Sequence, residues 1–363
     1  MKIPFLKIID RYIIKKFLGT FFYSIALIIS IAIVFDVSDN LDDFISRDAP
    51  IHAIIFDYYL NFIPYFANLF SSLFTFIAVI FFTSKLAYNT EIIAILSNGV
   101  SFHRFMRPYI LSAAIIALFS YTLGNYIIPP ANKKRVEFRN TYINTNHANR
   151  QKNIHRQLTP GTYIYMKSYN TNNDVGYKFT LEKFEKGHLI SKLSSNFIKW
   201  DREKKTWVIN NYVIHNFNGY KESIQTGNKI DTTLNMSPDD YRVERDIMET
   251  MSLPTLSKQI KDMKLRGVNP TEFEIEKQRR RSAPFSAFIL TIIGASLASR
   301  KVKGGLGLHL GLGILFSFTY IMFMQVTTVF ATSGAMSPTI AMWVPNFIFG
   351  VLAVILYKRA SNR

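Results

Sequence analysis

The chain has 363 residues, 48% hydrophobic and 15% aromatic, a formal net charge of +18 and no cysteine. A soluble protein of this length would spread its apolar residues over two or three domains; here they gather in six uncharged runs, each long enough to cross a hydrocarbon core about 30 Å thick, which excludes a soluble fold. Without thiols neither a disulfide nor a thiolate metal site can form.

The first run, residues 17–35, follows Lys2, Lys7, Arg11, Lys15 and Lys16 and precedes the acidic stretch Asp36, Asp39, Asp42 and Asp43. It is too long for a cleaved leader and lacks a small-residue cleavage site, so it reads as a retained signal anchor. Residues 63–84 and 109–128 complete an N-terminal trio, and residues 282–299, 306–332 and 341–357 form a C-terminal trio. Basic residues collect before run one, between runs two and three (Lys85, Arg104, Arg107), between runs four and five (Arg300, Lys301, Lys303) and after run six (Lys358, Arg359, Arg363). The positive-inside rule places these segments and both termini in the cytoplasm. Part of the net charge is thereby accounted for by topology, with no need of nucleic acid.

Between runs two and three, Leu86 to Phe105 reads as a short helix that starts near Asn89 or Thr90 and stops at Asn98-Gly99. Its Ile92, Ile93, Ile95 and Leu96 either lie on the bilayer surface or plug into a partner.

Residues 131–281 carry 28 basic and 17 acidic side chains, which gives either a solvated lysine-rich surface or an anion site. Short alternating stretches at 162–168, 175–181, 189–200 and 206–217, separated by turn-forming segments, predict an antiparallel β domain. Within it Val175, Tyr177, Phe179 and Leu181 share one face. In residues 207–217 both faces are apolar, as in a strand covered on both sides. Such a domain is either a closed sandwich with a filled core, which the pattern favours, or an open jelly roll whose groove takes an apolar ligand. Residues 253–266 turn helical, stop at Gly267 and restart after Asn269-Pro270, capped by Asn269 or Thr271.

Catalytic patterns are missing. No P-loop, no His-Glu-x-x-His and no Gly-x-Ser-x-Gly occurs, so no catalytic residue, cofactor or metal site is assigned and the chain reads as a non-enzyme. Gly304, Gly305, Gly307, Gly311 and Gly313 read as a close-packing stripe of the fifth helix rather than a phosphate loop. An ion-coupled transporter would need ionisable groups inside its helices; Asp57 and His309 stand near the ends of runs two and five and read as interfacial.

Glu91-Ile-Ile-Ala-Ile-Leu-Ser-Asn-Gly-Val-Ser resembles the coupling helix of the LptF/LptG (YjgP/YjgQ) family of lipopolysaccharide-export permeases. Ile9-Asp-Arg-Tyr-Ile-Ile-Lys-Lys-Phe-Leu is similar to that family's N-terminal interfacial helix, Arg280-Arg-Ser-Ala-Pro-Phe-Ser to the start of its fourth span, and Trp343-Val-Pro-Asn to the start of its sixth. The resemblance covers essentially the whole chain, and residues 35–41 lean slightly towards LptG.

The resemblance implies a polytopic α-helical membrane protein of the inner membrane, with six spans in a 3+3 arrangement and an inserted periplasmic antiparallel β domain of jelly-roll type. Residues 1–130 then hold spans one to three with the coupling helix at about 89–99, residues 131–252 the β domain, 253–281 a helical connector and 282–363 spans four to six. It implies a permease subunit of an ABC transporter that extracts lipopolysaccharide or a related glycolipid and passes it to periplasmic bridge proteins of LptC/LptA type. Its implied partners are a cytoplasmic ABC ATPase dimer, which hydrolyses the ATP, and a second permease of the family. Glu91, Ile92, Ile95, Leu96, Gly99, His103 and Arg104 would contact the ATPase. Phe35, Asp36, Asp39, Phe316, Tyr320 and Phe323 would stand at the lipid gate of spans one and five. The sequence departs from the pattern there, because Asp36 and Asp39 occupy places where some members carry lysines that meet lipid phosphates. A membrane-anchored sensor or scaffold with a ligand-binding β ectodomain is the alternative reading.

Overall fold

A computed structural model describes residues 7–143, 151–170, 173–219, 221–238, 245–265, 268–300 and 305–362. It divides into two compact units: Met1–Ile143 with Glu249–Leu253 and Thr271–Arg363, and Asn144–Met248 with Pro254–Pro270.

The first unit is helical. α1 (Ile8–Ser46) is followed by the single turn α2 (Ile51–Ala53), a π-helical stretch Ile54–Tyr59, α3 (Leu60–Tyr88), α4 (Glu91–Ser97) and α5 (Phe102–Thr122), which runs through a second π-helical stretch, Leu123–Ile127, into α6 (Ile128–Tyr142). After the β strands come α7 (Arg245–Thr250), whose residues are divided between the two units, and α8 (Leu253–Leu265), which belongs to the second unit from Pro254 on; α9 (Thr271–Ala298), α10 (Gly305–Thr332) and α11 (Pro338–Ser361) complete the first unit. Among the described residues, six helical segments are long and apolar enough to span a membrane, and each coincides with or overlaps one of the six runs. The 39 residues of α1 reach about 58 Å, well beyond a hydrocarbon core.

Lipid offers no hydrophobic incentive for helices to associate, so close packing and interhelical hydrogen bonds must hold them together. Between Ile13 and Ile33, α1 buries one narrow stripe at four-residue spacing, Ile13, Phe17, Phe21, Ile25 and Ile29, flanked by the partly buried Leu18, Ile28 and Ile33. Phe17 lies between Phe82 and Tyr109, with ring centroids at 5.5 and 6.3 Å, and the Tyr109 and Thr83 hydroxyls are hydrogen-bonded at 3.1 Å. α1 packs on α3 and α5, whereas α10 packs on α3, α9 and α11. These two flanking helices bury 22% of their most apolar stretch, against 61% for α9.

Of the three glycines of the α10 stripe whose surroundings are described, Gly307, Gly311 and Gly313, one is closely packed. A Cβ at Gly313 would stand 2.9 Å from Ile80 Cδ1, while Gly307 and Gly311 face open space and Gly304 lies outside the described residues. Gly294 on α9 meets Val79 and Phe76 in the same way, at 2.9 and 3.1 Å. His309 is buried, and its Nδ1 bonds Ser84 Oγ at 2.8 Å and fastens α10 to α3.

The described residues of the second unit include six strands: β1 (Gln151–Thr159), β2 (Thr162–Asn170), β3 (Val175–Glu185), β4 (His188–Asp201), β5 (Thr206–Asn218) and β6 (Lys221–Thr232). They form one antiparallel sheet in sequential order, so β1 and β6 are its two edges. β2 to β5 coincide with the four predicted stretches. Ile164, Met166, Phe179, Leu193, Ile198, Trp207 and Ile209 fill one face, and Trp207 Nε1 donates to the Met236 carbonyl at 2.9 Å. The α8 helix is described to Leu265, and the predicted stop at Gly267 lies outside the described residues.

A crease crosses this sheet. The pairings Ile154↔Met166, Met166↔Phe179, Phe179↔Ser195, Ser195↔Tyr212 and Tyr212↔Gly227 lie beside one line of unpaired positions, Asn153, Lys167, Lys178, Asn196, Asn211 and Asn228. On every second strand the residue on that line has positive φ: Asn153 at 54°, Lys178 at 51° and Asn211 at 50°. Side chains in a strand alternate faces, and the crease reverses that alternation. On β3 the buried positions are Gly176 and Phe179, with Tyr177 exposed between them. On β5, Trp207 and Ile209 point into the core before Asn211, and Tyr212 and Ile214 pack on it after. The two apolar faces read in residues 207–217 therefore arise in good part from this switch, and the expectation that Tyr177 shares a face with Phe179 does not hold.

Candidate functional site

α4 projects between α3 and α5. Thr90 before it is left-handed, with φ 62°, and Gly99 beyond it stands at φ 82°, so the helix is closed by sharp turns at both ends. The Gly99 N–H returns to the Leu96 carbonyl at 3.0 Å, a glycine-dependent termination. Ile92 is fully buried, and Ile95 and Leu96 are half-buried against the same core. These three expected docking residues thus attach α4 to its own chain. The exposed surface of this segment includes Asn89, Thr90, Ile93, Ala94, Ser97 and Asn98, with Ile93 54% exposed.

The first turns of α1 hold the knob. Arg104 donates through Nη1 and Nη2 to the two oxygens of Asp10 at 2.7 and 2.6 Å, and Asp10 Oδ2 also accepts the Lys7 N–H at 2.9 Å. Asp10 is buried, and the Arg104 guanidinium bonded to it holds its carboxyl below the usual range. Two residues on, Tyr12 Oη donates to Glu91 Oε2 at 3.1 Å, while Asn89 Nδ2 donates to Glu91 Oε1 at 3.2 Å. Ser101 caps α5 by accepting the Arg104 N–H at 3.3 Å, and His103 Nδ1 bonds Tyr357 Oη of α11 at 3.0 Å. Arg104 and His103, expected as partner contacts, are engaged within the chain. Asp10 and Tyr12 were missed as members of this site. The available signal was a lone acid in an otherwise basic segment.

At the opposite end of the helical unit, Asp36 turns inward. Tyr58 and Tyr59, neighbours on the π-helical stretch, donate to its Oδ1 and Oδ2 at 3.3 and 3.0 Å. Phe35 is 67% exposed and Asp39 is also exposed. On α10, Tyr320 is buried, with its hydroxyl donating to Asn346 Oδ1 at 2.8 Å, Phe316 lies edge-on to Phe76, and Phe323 is 40% exposed beside Phe349. α1, which carries Phe35, Asp36 and Asp39, packs on α3 and α5, and α10, which carries Phe316, Tyr320 and Phe323, packs on α3, α9 and α11.

A polar cluster beside this end escaped the sequence reading. Glu276 pairs with Arg280 at 2.7 Å and with Arg279 at 2.5 Å, and Arg280 Nη1 donates to the Met251 carbonyl at 2.7 Å. Glu249 accepts from Asn132 at 3.2 Å and Tyr65 at 3.3 Å, and the Arg135 guanidinium sits 4.8 Å over the Tyr65 ring. Tyr65, Glu249, Glu276, Arg279 and Arg280 border a cavity of about 200 Å³. The i, i+3 and i, i+4 spacing of Glu276, Arg279 and Arg280 was the legible sign.

No curated protein sequence gives a significant match to the chain. The family model described as lipopolysaccharide export system permease LptF/LptG matches residues 11–359, a span that includes all six membrane helices' apolar runs and the inserted sheet. The chain therefore belongs to the LptF/LptG family and is a permease component of the lipopolysaccharide export system.

Proposed function

We propose that the chain is the non-catalytic permease subunit of an ATP-driven exporter that extracts lipopolysaccharide, or a related glycolipid, from the inner membrane and hands it to periplasmic bridge proteins of LptC/LptA type. The observation that carries this reading is the α4 knob, braced by Asp10–Arg104 and Tyr12–Glu91, with Ile93 facing outward. A braced knob transmits force, whereas a loose loop would absorb it. A dimeric cytoplasmic ABC ATPase docks on this face and moves α4 when it closes.

The bases Lys85, Arg107, Lys358 and Arg359 stand at the α4 end of the bundle and Asp39, Asp42 and Asp43 at the other, which supports cytoplasmic termini and a periplasmic β domain. The little-buried flanks α1 and α10 suit pairing with a second family permease, α10 of one chain meeting α1 of the other. Phe35 and Phe323 then face each other across the seam and touch acyl chains. Asp36, bonded by two tyrosines, is a brace for α1 and no phosphate ligand, so the cations that meet the lipid head come from elsewhere in the assembly.

Mass spectrometry of what co-purifies with the chain in mild detergent tests this. The reading expects a Walker-motif ATPase, a second permease and a lipid A-containing glycolipid. A histidine kinase, or no protein partner, would favour a sensor or scaffold instead.

A further inference from the structure

A groove of about 520 Å³ runs along the outside of the helical unit where α5, α9 and α11 meet. The α5 residues that line it, from His103 through Arg107 to Leu111, recur at three- and four-residue spacing over about 12 Å of helix. Ile292 of α9 and Val354 and Tyr357 of α11 form its other walls. Leu111 and Val354 are 45% and 54% exposed, so the groove opens sideways, at the depth where all three helices are apolar. Its lining there is hydrocarbon.

The end near α4 differs. There the His103–Tyr357 hydrogen bond and the Phe102–Tyr357 ring contact, 5.7 Å between centroids, close the groove. Arg107 lines it, Lys358 and Arg359 follow Tyr357 on α11, and Arg300 donates to the Arg359 carbonyl at 3.0 Å. α5 and α11 contain no acidic residue, and the three acids of α9, Glu272, Glu274 and Glu276, lie in its first turns at the far end. An apolar slot with a purely cationic rim suits an acyl chain joined to an anionic head. A partner's helix, at least 10 Å wide over a whole span, does not fit a groove this short.

We propose that this groove binds one anionic phospholipid from the leaflet on the α4 side, its phosphate at Arg107 and an acyl chain between Leu111, Ile292 and Val354. The site is separate from the export path and does not depend on the exporter reading. Arg107 is one helical turn from Arg104, so an occupied groove steadies the segment of α5 that Asp10 grips.

Native mass spectrometry of the full-length chain in mild detergent, titrated with phosphatidylglycerol or with phosphatidylcholine of the same chain length, tests it. The wild type retains one phosphatidylglycerol with at least tenfold preference. Arg107→Ala brings that preference close to one, and Val354→Trp and Leu111→Trp, which fill the groove from exposed positions without disturbing the core, remove retention of both lipids. Equal retention of the two lipids by the wild type would overturn the proposal. So would a preference that survives Arg107→Ala or both tryptophan variants, or a partner's helix cross-linking to position 354 in place of lipid.

Discussion

Arg104 grips both carboxylate oxygens of Asp10, 94 residues away in sequence, and this fork fixes the start of α1 to the start of α5. Removing one member of a bidentate pair whose carboxylate is buried leaves an uncompensated charge, which costs about 3 kcal/mol when the other partner keeps some solvent. Arg104→Ala and Asp10→Ala should each lower the melting temperature in detergent by several degrees. The double variant should cost less than the sum of the two, the mark of direct coupling. Additive losses would show that the pair does not act as a unit.

Ile92 and Ile93 are adjacent on α4 and should behave in opposite ways. Ile92→Asp buries a carboxylate in the core of the helical unit and should destabilise by more than about 3 kcal/mol. Ile93→Asp should leave the melting temperature within a degree or two and instead weaken ATPase capture at least tenfold in pull-down. Equal melting losses would contradict the burial pattern.

Gly294 and Gly313 are tight, while Gly307 is not. Gly294→Val should cost about 1–3 kcal/mol by forcing Val79 and Phe76 apart. Gly307→Ala should be neutral or slightly stabilising. Thermal melting of both in detergent distinguishes a real small-residue contact from a run of glycines.

The crease in the sheet predicts a residue preference that a normal strand would reverse. Asn211→Val places a β-branched residue at φ 50° and should destabilise the β unit by about 1–2 kcal/mol. Asn211→Gly should be neutral or stabilising. Hydrogen exchange of β4 to β6 in the full chain measures both, and faster exchange in the glycine variant would argue against the crease.

The membrane frame was legible because spans need about 20 apolar residues and nothing else in the chain mimics that length. β2 to β5 were legible from alternation, whereas β1 and β6 were not. Lys221–Thr232 places polar residues on both faces, since β6 is a mostly exposed edge, and β1 is similarly polar. The face switch at Lys178 and Asn211 was hidden because a left-handed lysine carries no mark in the sequence, and asparagine, which tolerates that conformation, is equally common in ordinary turns. At the candidate site, residue type pointed correctly to α4, but orientation did not follow. Ile92, Ile95 and Leu96 suit a docking face as well as Ile93 does, and only the packing of α4 on α3 and α5 decides which one points outward. Asp10–Arg104 joins distant segments, so the lone acid in its basic surroundings marked Asp10 but not its partner.

The most direct test of the central claim is ATP-driven release of lipopolysaccharide from proteoliposomes that contain the chain, its partner permease and the ATPase, with wild type compared to Ile93→Arg. The account predicts that the variant inserts and melts like the wild type but releases lipid at a tenth of the rate or less. Release at the wild-type rate would contradict the role given to α4.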